Sequence, residues 1–112
     1  MFGKGGGGMT GGMAQLMKQA NQMQMKMKKA QEELAKREFQ GSSGGGAVNV
    51  TVTGEYMITS LKIQEDVFKS GDAEMLQDLI KAATNDAVKT AKKTTQEEME
   101  KITGGLGVPG LF

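Results

Sequence analysis

The side chains of this chain that can do chemistry are mostly amines. Lys18, Lys26, Lys28, Lys29, Lys36 and Arg37 fall within one stretch, and Lys89, Lys92 and Lys93 form a second group. Cationic groups spaced by three, four, seven or eleven positions on a helix can follow a phosphodiester backbone, neutralising phosphates and releasing their counterions. The same spacing also serves a plainer end, a solvated helix face. Across residues 13–40 six bases stand against three acids, Glu32, Glu33 and Glu38, all in the C-terminal third. The first two-thirds of that stretch is therefore purely cationic. The net charge of the chain is +1, so attraction to a polyanion has to come from this clustering and not from the overall balance.

What is missing narrows the chemistry further. The sequence has no His and no Cys, which removes the usual general base, the proton shuttle and the nitrogen and thiolate ligands together. Carboxylates, Lys, Tyr56 and hydroxyls are left, so we expect no enzyme, no catalytic residue, no metal site, no cofactor and no small-molecule substrate. The opening GKGGGG superficially suggests a phosphate-binding loop. It precedes any strand, however, and Lys4 is followed by Gly where a nucleotide loop needs Ser or Thr. Met23, Met25 and Met27 offer soft sulfur that copper(I) favours, but without Cys or His the thioethers read as adaptable packing groups. No disulfide can form, no apolar run approaches the ~18 residues of a membrane span, and the start lacks the apolar core of a signal peptide. A cytoplasmic protein with no membrane partner is expected.

The element that must carry the first amine group is residues 13–37, free of Gly and Pro. Met13, Leu16, Ala20, Met23, Met27, Ala30 and Leu34 are spaced alternately by three and four, the heptad pattern of a narrow apolar seam, with Met17 at its flank and Met25 outside it. At about 1.5 Å per residue this helix extends roughly 37 Å, too far for a domain of this size to cover. Part of it must project or find a partner, and dimerisation is the simplest remedy for so small a core. Residues 1–12 hold seven glycines and are expected to be disordered, with Met13 as the first helical residue and Thr10 a possible cap.

A change of grammar follows. A short extended run around Phe39, the glycine turn GSSGGG, the alternating VNVTVT and the run YMITSLKIQ predict a three-stranded antiparallel meander. Val48, Val50 and Val52 share one face of it. In the third strand Met57, Leu61 and Ile63 are assigned to one face and Tyr56, Ile58, Ser60 and Lys62 to the other. Val67 and Phe68 read as a single turn tucked against the sheet. Asp72 caps a second long helix whose apolar stripe, from Met75 to Ala91, suits docking on the sheet and then thins, so that its last turns leave the body as the first helix does. Gly104 and Gly105 stop it, and residues 104–112 read as a loose tail. The expected fold is α+β: long helix, meander, long helix, as one domain over residues 13–103. Leu16, Met23, Met27, Leu34, Val48, Val50, Val52, Leu61 and Ile63 are its expected core or dimer contacts.

Placed on these elements, the MFGK start, LMKQANQMQMKMKKAQEELA, VNVTVTGEYMITSLKIQ, DAEMLQDLIKAATNDAVK and the Gly-Leu-rich end together resemble the YbaB/EbfC family of bacterial nucleoid-associated proteins. The resemblance spans nearly the whole chain; one departure is the absence of a Pro after Ile63. It implies a homodimer whose paired helices project like the arms of tweezers, binding double-stranded DNA in the cytoplasm and influencing nucleoid organisation and gene expression. It implies no catalytic residue and no cofactor. Lys18, Lys26 and Lys29 match the family's basic positions in LMKQA and MKMKK, whereas Lys28, Lys36, Arg37, Lys92 and Lys93 join them on charge alone. Weak sequence selectivity is expected where phosphates supply the affinity. The alternative is a holdase or adaptor whose helical arms grip protein partners with Met17 and Met25.

Overall fold

Val48, Val50 and Val52 are the centre of packing, each at most 1% exposed. β-branched residues at every second position suit a half-buried pleated strand, and the intervening Asn49 stays in solvent. In the computed structural model, which describes residues 2–104 and their side chains from residue 12 onward, these valines lie on the middle strand of a three-stranded antiparallel sheet. The elements are α1 (Phe2–Lys36), β1 (Glu38–Ser43), β2 (Val48–Thr53), β3 (Ile58–Ile63), α2 (Glu65–Lys69) and α3 (Ala73–Thr103). Gly44, Gly45 and Gly46 turn β1 into β2 with φ of 60°, 67° and 96°, a left-handed path that side chains rarely take.

One face of the sheet is covered by α3, which lies over β1 and β2. Ala83, Ala87 and Ala91 are fully buried there, and the closeness of the approach depends on Gly41, where a Cβ would collide with the backbone of Ala83 and Ala87. Asp72 caps α3 as expected, its carboxylate accepting from the Met75 amide at 3.0 Å. Gly104 ends it with φ 45°.

Past Ala91 the helix leaves the sheet but not alone. Met99 is buried and Ile102 half-buried in the cluster that also holds Leu34, with Met27 and Ala30 of α1 packed against it. Both helices are expected to leave the body, and they do so side by side: the end of α3 runs beside the C-terminal half of α1, because the thinned stripe of each is enough to cover the other. N-terminal to Met23, every described side chain of α1 is exposed. The molecule measures 85 × 22 × 16 Å.

Four further details depart from expectation. The helix begins at Phe2, so it takes in the glycine-rich residues for which disorder is expected, and Thr10 lies inside it instead of capping it. Glycine keeps its amide and accepts helical dihedrals, but at a cost of about 1 kcal/mol each relative to Ala, so the glycine-rich start is intrinsically the weakest part of this helix. In β3, Val50 pairs with Leu61 and Val52 with Ile58, with an irregularity between Thr51 and Val52. The extra residue returns Ile58 to the face of Leu61 and Ile63, not to the opposite one. Tyr56 sits in the β2–β3 turn and not in the strand. Phe68 is 68% exposed, and only Val67 of α2 is half-buried, since five residues make too short a helix to turn both inward. Of the expected tail, residues 105–112 lie outside the described residues.

Candidate nucleic-acid interface

The helical repeat brings Lys18, Lys29 and Lys36 onto one line. Separations of eleven and seven residues return to within ~20° of the same direction, with axial steps of about 16 and 10 Å. This line runs along the side of α1 opposite the seam of Met27, Ala30 and Leu34. Lys26 and Lys28 flank it, one on each side. Because the seam faces α3 and the amines face away, burying the apolar residues is what turns the lysines outward.

All eight candidate cations, Lys18, Lys26, Lys28, Lys29, Lys36, Arg37, Lys92 and Lys93, are exposed. Among the described residues the ion pairs are Lys69 with Glu65 at 2.7 Å and Lys101 with Glu98 at 3.3 Å, and neither uses a candidate. Two candidates lie over rings. Arg37 stands 5.6 Å from the centroid of Phe39, and Lys92 stands 5.6 Å from that of Tyr56. Lys92 and Lys93 belong to α3, one turning toward Tyr56 and the other away from the sheet, so the structure does not place them on the α1 line.

The Tyr56 site is one that the sequence pattern does not disclose. Tyr56 has φ 66°, the one described non-glycine residue with positive φ. Thr53 holds it there: its carbonyl accepts from the Tyr56 amide at 2.9 Å, its amide donates to Met57 O at 2.9 Å, and its hydroxyl accepts from the Glu55 and Met57 amides at 3.2 and 3.3 Å. The ring, Lys92, Gln31, Thr95, Gln96 and Met99 line a cleft of about 300 Å³. Lys62 is a further exposed cation, on the polar face of β3.

Negative charge gathers elsewhere. A cleft of about 510 Å³ is lined by Asp72, Glu74 and Asp78 with Met75, Leu79 and Ala82. It lies at the end of the sheet where the Ser43 hydroxyl donates to Leu79 O at 2.6 Å, whereas α1 joins at the other end of β1. Basic arm and acidic cleft are thus at opposite ends. Among the described residues no group of three or more acidic side chains is arranged to hold a metal ion, and no helix is long and apolar enough to cross a membrane.

The expected packing residues divide in two. Leu34, Val48, Val50 and Val52 are buried, and Met23, Met27 and Ile63 half-buried. Leu16 on α1 and Leu61 on β3 are 66% and 45% exposed.

Similarity to known proteins bears on what such an arm does. Residues 9–106 match the YbaB/EbfC DNA-binding family. The chain is 54% identical over 107 residues to a nucleoid-associated protein of Clostridium novyi (strain NT), covering 94% of each. It is 50% identical over 105 residues to a nucleoid-associated protein of Clostridium acetobutylicum, covering 93% of this chain and 94% of that one. Its fold is similar to the crystal structure of an uncharacterized Helicobacter pylori protein, with a TM-score of 0.66 at 23% identity, covering 81% of this chain and 96% of the other.

Proposed function

The chain belongs to the YbaB/EbfC DNA-binding family, and from that premise we propose that it is a nucleoid-associated protein that binds double-stranded DNA as a homodimer. The single observation that carries the proposal is the line of Lys18, Lys29 and Lys36 on an exposed helix face, with no carboxylate in an ion pair with any of them among the described residues. Each amine that meets a phosphate releases a counterion, so affinity falls with salt by a log–log slope of about 0.9 per contact. Phosphates are alike in every sequence, hence weak selectivity. Neither α3 nor residues 12–36 of α1 carry an aromatic side chain on which a base could stack, which favours duplex over single strand. The protein works in the cytoplasm at the nucleoid, where occupancy of DNA changes its compaction and the access of transcription. We infer no catalytic task for it.

The dimer reading is supported by what α3 leaves bare. It covers β1 and β2, while Ile58 and Leu61 on the same face of β3 are 55% and 45% exposed, and Phe68 of α2 is 68% exposed. The β1 edge is partly closed by Asp86, whose carboxylate accepts from the Ser42 amide at 3.1 Å. The β3 edge is the one where a second copy buries apolar surface, and two arms then stand clear of a common centre.

The test is a gel-shift titration with duplex DNA, single strands and structured RNA at several salt concentrations, with the mass of the free protein measured in parallel. Duplex binding that weakens linearly in log salt is expected, and salt-independent binding overturns the proposal. A second reading, capture of protein partners, is favoured by the exposure of Met17 and Met25, at 62% and 72%. Apolar capture survives high salt.

A further inference from the structure

α3 runs out before the seam of α1 does. Ile102 is its last apolar residue, packed in the cluster that holds Leu34 with Met27 and Ala30 alongside, and Gly104 then ends the helix. Along α1 the seam continues through Met23, Ala20, Leu16 and Met13, with Met17 at its flank. Met13, Leu16 and Met17 are 61%, 66% and 62% exposed. We propose that residues 105–112 of the same chain dock along this uncovered seam, continuing in extended form the cover that α3 begins.

Four considerations select this occupant. Residues 105–112 read GLGVPGLF, which holds Leu106, Val108, Leu111 and Phe112 and no charged side chain, so no ionised side chain has to be stripped of water on an apolar surface. Pro109 and the glycines disfavour a helix and leave a thin ribbon whose apolar groups can lie against a groove. The reach is sufficient: eight extended residues span about 26 Å, and the axis from Met27 to Met13 spans about 21 Å. Attachment at Gly104 keeps the segment at a local concentration in the millimolar range, ahead of a second copy at micromolar concentration. Lys18, Lys29 and Lys36 lie on the opposite side of α1, so this cover leaves the amine line open.

The chain has no Cys, so a nitroxide attached to Gly110→Cys is unique and removes none of the four apolar groups. The readout is the intensity of methionine methyl signals in the full-length protein without DNA, which separates it from the question of DNA binding. Spin-labelled, isotope-labelled chain is diluted into a large excess of unlabelled chain. Met13 and Met17 are expected to lose most of their signal, while Met57 and Met75 on the body keep theirs. Leu16→Glu, at a position already in solvent, is expected to restore the lost signals. Full intensity at Met13 and Met17 overturns the proposal, as does loss that survives Leu16→Glu. Loss seen only when spin label and isotope are on different chains also overturns it and assigns the seam to a second copy.

Discussion

The backbone amide of Ala87 rests against the α-carbon of Gly41, with no room for a side chain between helix and strand. Fully buried Ala83 and Ala91 continue the same close contact one turn to either side. The position of α3 along β1 is therefore set by a missing methyl group. Gly41→Ala should push the helix off the strand and lower unfolding free energy by about 3 kcal/mol, the upper part of the range for overpacking, because backbone cannot rotate aside as a side chain can. Urea denaturation measures it. A loss below about 0.5 kcal/mol would mean the helix can shift freely.

The proposed DNA surface is tested by Lys18→Ala, Lys26→Ala and Lys29→Ala together. All three positions are exposed, so fold and oligomeric state should be unchanged. The slope of log affinity against log salt should fall by about 2.7 for each arm that meets DNA, on the order of 0.9 per phosphate contact, equally for different duplex sequences. An unchanged slope would move the interface away from α1.

Replacing Leu61 and Ile58 by Asp places charge on the bare half of β3. Both are exposed in the single chain, so the fold should persist while the sedimenting mass falls to that of one copy. Loss of the second arm should weaken binding to long duplexes more than to short ones, since two linked arms gain from effective concentration. Retention of the larger mass would exclude β3 as the shared surface.

Tyr56 gives an inversion of the usual order of side chains. At φ 66° a β-carbon costs about 1–2 kcal/mol, so Tyr56→Gly should be more stable than Tyr56→Ala by about 1 kcal/mol, the reverse of what a helix or strand position shows. Both variants lose the ring beside Lys92, so that contact cancels in the comparison. Thermal unfolding of the pair decides it; equal midpoints would mean the turn relaxes to negative φ.

Much of this architecture is legible before any coordinates. The valine alternation marks β2, Asp72 marks the start of α3, and the three-four spacing marks both the seam and the amines that face away from it. An inserted residue is harder to see. A bulge shifts the phase of alternation without altering composition, which is why Ile58 reads as belonging to the other face. Tyr56 escapes for a related reason: an aromatic residue next to a run of alternating apolar residues looks like strand, and the hydrogen bonds of Thr53 override that preference. The pairing of Met99 and Ile102 with Leu34 depends on two segments distant in sequence, each too sparse to announce a partner. At the candidate site the spacing identifies the lysines, but only the fold separates the α1 line from Lys92, which lies over a ring on another element.

The separation of arm and cleft means that a charge of +1 conceals a molecule with a sense of direction. Asp72, Glu74 and Asp78 lie many screening lengths, each about 8 Å in physiological salt, from the free end of α1. In the field of a polyanion such a particle is oriented like a compass needle and arrives lysines first, without needing the large surplus of positive charge that would make it cling to every acidic surface in the cell.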